Sequence, residues 1–188
     1  MNNPLRILQT LDGHLTAPAE ITVFGRAALA LGFAEAPAAF AATHDVDGIL
    51  PLAWLAAEDE NLDFWQAQQR TNADLESEGL YITHLFRELE IILTPDWLDG
   101  RVRISLPLPR LAILRPSTLD LVITKMMRGD DQDLDDIRFL LQREPLPEAA
   151  LRAAFARARV PDVSEIRALF ETAQPKVLEL ARAIQPQP

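Results

Sequence analysis

The stretch AEITVFGRAALALGF, residues 19–33, decides the fold class. Ala19 to Phe24 is rich in β-branched and aromatic side chains and predicts a strand. Gly25 punctuates that run, and Arg26 to Phe33 reads as a short alanine- and leucine-rich helix closed by Gly32. A strand, a glycine turn and a helix in quick succession mark an α/β organisation. Outward from this unit, residues 35–44 form a loop or weak helix, and DVDGILPL (45–52) predicts the next strand. Alternate residues of a strand share a face, so Asp45 and Asp47 point the same way while Val46 points into the core. Like charges side by side are destabilising. The pair is therefore either solvated at a strand end or placed there to hold a cation.

The remaining pattern extends the reading in both directions. PLRILQTL (4–11) has helical spacing and ends near Asp12-Gly13. Residues 57–79 predict a largely exposed helix of about five turns, with Leu62, Trp65, Gln69, Asn72 and Leu75 as its thin apolar stripe. LYITHLF (80–86), LEIIL (89–93), RVRISL (101–106) and RLAILR (110–115) read as strands. PSTLDLVITKMMRG (116–129) is a helix that Ser117 is placed to cap, and DQDLDDIRFLLQRE (131–144) is another. Beyond Pro145 the chain reads as three helices separated by Pro161 and Pro175. The expected fold is α/β (α+β): a mixed sheet flanked by helices over residues 1–144, with a helical C-terminal extension, 145–188, packed on it.

Composition narrows the function classes. The 188 residues include no cysteine, which excludes disulfides and thiolate metal sites. A net charge of -10 argues against broad, non-specific affinity for nucleic acid. No apolar run reaches the roughly 18 residues of a membrane span, and the start lacks the pattern of a secretory signal, so no membrane partner and a cytoplasmic location are expected. The charge is unevenly spread: Arg101 to Arg128 holds six basic residues against the single acidic Asp120, and five aspartates follow between Asp130 and Asp136. A basic stretch between acidic blocks suits a phosphate-bearing ligand beside a cation.

Three pieces stand in a particular order: VFGRAALALGF, then THDVDG, then STLDLVITKMMRGDDQDLDDIRFLL. In that order they resemble the minimal nucleotidyltransferases, specifically the AbiEii-like abortive-infection branch that includes toxins of bacterial toxin–antitoxin systems. The resemblance covers roughly residues 20 to 143. It implies a nucleotidyltransferase-like sheet and magnesium-dependent transfer of a nucleoside monophosphate from a nucleoside triphosphate to an acceptor. That acceptor is RNA, tRNA included, or a protein, and a cognate antitoxin is the implied protein partner. Asp45 and Asp47 would ligate Mg2+, which takes oxygen donors from carboxylates and from the substrate's phosphates. Gly25 and Arg26, at the start of the helix, would face the phosphates, where backbone N–H groups and the helix dipole favour an anion. Lys125 and Arg128 would bring positive charge to the triphosphate, and Asp136, on one face with Asp133, would orient Lys125 or complete the site. Glu88 and Glu90 are rival candidates for a third carboxylate.

The chain departs from the family pattern in three places. Arg26 stands where the family commonly carries Gly or Ser, and 20 positions separate Gly25 from Asp45, a longer spacing than usual. Gln132-Asp133 replaces an Arg-Asp or Lys-Asp pair. These departures keep a second reading open, a catalytically inactive nucleotidyltransferase-fold module that binds a nucleotide or a partner. His14, His44 and His84 lack metal-ligand spacing, and Trp54, Trp65 and Trp97 read as core or edge aromatics rather than a base-stacking platform.

Overall fold

The computed structural model describes residues 2–57 and 61–184. The protein is mixed α/β, with a five-stranded mixed sheet flanked by helices and a C-terminal helix. It divides into two compact units, Met1–Glu88 with Arg101–Arg115, and Leu89–Gly100 with Pro116–Pro188. The residues expected as an extension, 145–188, share their unit with 116–144.

The first unit carries the sheet. Its strands are β1 (Ala19–Phe24), β2 (Asp47–Leu50), β3 (Leu85–Arg87), β4 (Val102–Ile104) and β5 (Leu111–Arg115), in the spatial order β3-β2-β1-β5-β4. β1 is central, and Ile21, Thr22 and Val23 are buried in succession, the unbroken pattern of a strand covered on both faces. It pairs antiparallel with β2 and parallel with β5. β2 and β3 are parallel, with Gly48 opposite Leu85. Helix α1 (Asn3–His14) is capped by the Asn2 side chain, which accepts from the Leu5 N–H at 3.1 Å. The buried Asp12 ties α1 to the sheet, its carboxylate accepting from the Arg110 and Leu111 N–H groups at 2.8 and 2.7 Å. Helix α2 (Gly25–Gly32) follows β1 directly, and α3 (Ala38–Ala41), α4 (Leu52–Leu55) and α5 (Leu62–Leu75) complete the unit.

Two expectations in this unit are corrected. Helix α5 buries Phe64, Ala67, Thr71 and Leu75, whereas Leu62 is 57% exposed, so the packed stripe is rotated from the expected one. Residues 58–60 of that expected helix lie outside the described residues. The run 80–86 is a strand only from Leu85. Its earlier part makes one isolated parallel bridge, Tyr81 to Asp45, and at the next residue α5 takes over: the Asn72 side chain accepts from the Ile82 N–H at 2.8 Å, and Gln68 and Asn72 both donate to the Ile82 carbonyl, at 2.6 and 3.1 Å. The Ile82 backbone groups, which face away from β2 at this edge of the sheet, are thus satisfied by side chains.

The second unit is helical: α6 (Thr118–Lys125), α7 (Asp131–Arg143), α8 (Glu148–Arg157) and α9 (Ser164–Ile184). Ser117 caps α6 as expected, accepting from the Asp120 N–H at 3.0 Å, and Asp130 caps α7, accepting from the Asp133 N–H at 2.8 Å. The expected strand 89–93 is instead the end of a 3-10 turn (Glu88–Glu90) and a buried Ile91-Ile92-Leu93 run, bridged at Leu93 to Arg159. A short apolar run does not distinguish a strand from another buried segment. After Pro161 there is one helix, not two: α9 passes through Pro175. Pro175 and Glu171, whose carbonyl loses its partner, are both exposed, while Phe170, Ala173, Val177, Leu178 and Ala181 continue the buried stripe across the proline. Gln185, the last residue of the expected third helix, lies outside the described residues. Among the described residues no helix is long and apolar enough to cross a membrane.

Candidate functional site

Backbone pairing at one end of the sheet assembles the first cluster. In the β1–β2 register Asp47 stands opposite Phe24, the residue before Gly25. On its other side β2 meets the segment leading into β3: Val46 N–H donates to the Tyr81 carbonyl at 3.0 Å and Gly48 N–H to the His84 carbonyl at 2.9 Å. Asp45 and Asp47, two residues apart, thus share a face, and His84 is brought beside them. One ligand atom from each of Asp45, Asp47 and His84 lies within 4.8 Å of the others. His84 Nδ1 is 3.3 Å from Asp47 Oδ1 and 3.8 Å from Asp45 Oδ2. The Thr43 hydroxyl donates to the other Asp45 oxygen, Oδ1, at 2.8 Å. The side chains are 41%, 27% and 59% exposed for Asp45, Asp47 and His84, so the cluster is open to solvent.

Gly25 completes this end of the sheet. Its φ is +63°, a left-handed conformation that disfavours any residue with a Cβ. A Cβ there would also stand 3.0 Å from Asp47 Oδ2. The glycine therefore permits the turn and leaves room for the carboxylate. It is also the first residue of α2, whose cap position is held by Phe24, a side chain that makes no capping hydrogen bond. The long spacing from Gly25 to Asp45 does not part the two motifs; the additional residues include α3, which packs on α2. Arg26 places its guanidinium over the Phe40 ring of α3, 5.4 Å from the centroid.

The other expected site residues form a cluster of their own in the helical unit. Lys125 Nζ donates to Asp136 at 2.5 Å and to Asp133 at 3.3 Å, and all three side chains are 8% exposed or less. Arg128 grips Asp133 with two hydrogen bonds, Nε to Oδ2 at 3.0 Å and an Nη to Oδ1 at 3.1 Å. The hydrogen bond to Asp133 raises the already high pKa of Arg128 against a smaller opposing effect of burial. Lys125 therefore meets both aspartates, with Asp136 the nearer. Of the rival carboxylates, Glu88 is buried and accepts from the Leu52 N–H at 2.8 Å, which anchors the start of α4.

His84 is the residue that sequence reasoning passed over. Its spacing along the chain is not that of a metal ligand; it meets the aspartates through a strand register across 37 positions from Asp47. No family model, curated protein or solved structure matches this chain. Chemically, two carboxylates and an imidazole are a donor set for a divalent cation.

Proposed function

We propose that the protein is a nucleotidyltransferase that uses a divalent cation, with Mg2+ as the ion implied by resemblance, to transfer a nucleoside monophosphate from a triphosphate to an acceptor. The observation that carries this reading is the pairing of Asp45 with Asp47, whose carboxylate lies against the glycine that starts α2. Asp45 and Asp47 hold the cation; when bound, it neutralises charge on the phosphate oxygens. The first N–H groups of α2 have no intrahelical acceptors and receive phosphate oxygens. An acceptor hydroxyl attacks the α-phosphorus, its proton passes to solvent or a nearby base, and pyrophosphate departs. Resemblance alone suggests RNA or protein as acceptor and a toxin–antitoxin setting. Lys125 is paired with Asp136 and Asp133, and Arg128 with Asp133, and this reading assigns none of them a step.

A second reading, binding without catalysis, is favoured by one specific feature: Arg26 follows the turn glycine and rests on Phe40. Incubation with labelled triphosphates, Mg2+ and total RNA or lysate separates the two. Transfer by the wild type that falls roughly a thousandfold in Asp45→Asn and Asp47→Asn, about 4 kcal/mol of lost transition-state stabilisation, supports catalysis. Triphosphate binding with no transfer to any acceptor replaces it by the second reading. Neither binding nor transfer refutes both.

A further inference from the structure

We propose that His84 is a third ligand of the Asp45–Asp47 centre, and that it makes the site prefer Mn2+ to Mg2+. The inference rests on the reading of Asp45 and Asp47 as cation ligands and adds a residue and a metal class to it. Donors about 2.1 Å from one ion stand about 3.0 Å apart at right angles and about 3.4 Å apart in a tetrahedral arrangement. His84 Nδ1 lies 3.3 Å and 3.8 Å from its two carboxylate neighbours, nearer to those edges than to the separation of about 2.8 Å of a charge-assisted hydrogen bond. The three ligand atoms lie within 4.8 Å of one another, close enough for one ion to meet all three.

The surroundings hold His84 and Asp45 in place. The His84 ring is stacked on Phe86, with centroids 6.0 Å apart and planes 19° from parallel. Phe86 in turn meets Phe24 edge-on at 5.7 Å. The His84 backbone is fixed by its carbonyl, which accepts from Gly48 N–H. Thr43 holds Asp45 Oδ1, and it is the other oxygen, Oδ2, that lies toward His84. Hydrogen bonds of this kind to a ligating carboxylate orient it toward the ion.

The donor set points to the metal class. Mg2+ is small and hard, keeps its waters and draws on oxygen ligands. An imidazole nitrogen adds little for Mg2+ but is a good donor to transition-series cations, and Mn2+ also suits carboxylates. Two carboxylates, one imidazole and a solvent-open face therefore favour Mn2+, with positions left for water or phosphate oxygens.

The test uses the full chain, with Mn2+ followed by electron paramagnetic resonance and Mg2+ as competitor, without nucleotide. The wild type should bind Mn2+ about tenfold more tightly than Mg2+. His84→Ala should lower Mn2+ affinity about tenfold while leaving Mg2+ within about twofold, and His84→Asp should restore binding with the preference moved toward Mg2+. Circular dichroism checks that both variants keep the wild-type fold. Unchanged Mn2+ affinity in His84→Ala, with Asp45→Asn abolishing it, removes His84 from the centre and leaves the aspartate reading intact. A wild type that binds neither ion refutes both.

Discussion

Asp133 and Asp136 are 2% and 0% exposed, and each meets a cation: Lys125 lies between them and Arg128 forks onto Asp133. Asp45 and Asp47 stand side by side at a sheet end, partly open to water, with a histidine as third member. Two aspartates four or fewer positions apart thus serve opposite ends in one chain. In the helical unit the buried aspartates neutralise the buried Lys125 and hold the exposed Arg128, both partners supplied by the fold. At the sheet end charge is concentrated beside a histidine, and in the function proposed above a cation completes the set. Proximity of charged residues in sequence says little about function; whether their partners are supplied by the fold says much more.

The largest effect expected from this comparison is on the closed set. Lys125→Met removes the cation and leaves Asp136 and Asp133 buried, which should cost about 3–5 kcal/mol in chemical denaturation. A loss below about 1 kcal/mol would mean that the two carboxylates are relieved by other means and that the set is not closed around Lys125. The next effect falls at the turn. Gly25→Ala should cost about 1–2 kcal/mol for the left-handed backbone. It should also weaken Mn2+ binding, because the added Cβ crowds Asp47. At the open set the sign reverses. Asp45→Asn should change stability by about 0.5 kcal/mol or less, and toward greater stability in metal-free buffer, as a like-charge pair is relieved. A loss of 2 kcal/mol there would show a structural carboxylate and erase the contrast.

How much of this was legible in the sequence depended on whether the deciding partner was local. Strand β1, Gly25 and α2 followed from composition and punctuation, and Ser117 announced the start of α6. The two-residue spacing of Asp45 and Asp47 was enough to place both on one face. The strand expected at 80–84 is reduced to a bridge at Tyr81, with the Ile82 backbone held by Gln68 and Asn72, polar residues of a helix; no periodicity records such a capture. Pro175 predicts a break because a proline's local cost is visible in sequence, whereas the continuous buried stripe that outweighs it depends on packing. His84 was passed over for a related reason. Its nearness to Asp47 comes from a parallel register, which neither segment specifies alone.

A smaller effect sharpens the comparison with a third use of aspartate. Asp63 is held below its usual pKa, first by the Thr16 hydroxyl at 2.7 Å, then, against some desolvation, by the Thr16 and Ala17 N–H groups and by Arg70. A lowered folded pKa gives stability that is present above about pH 4, the unfolded value, and is lost as the pH falls through the folded one. Denaturation of Asp63→Asn should therefore show a shallower loss of stability than wild type below about pH 4. Parallel curves would remove this tie from the account.

The most direct test of the open set is to crystallise the full chain, soak it with Mn2+ and locate the ion by its anomalous scattering. The account predicts one ion between Asp45 and Asp47, within bonding distance of a carboxylate oxygen from each. An ion bound elsewhere, or no ion at that sheet end at millimolar Mn2+ with both carboxylates ordered, would contradict it.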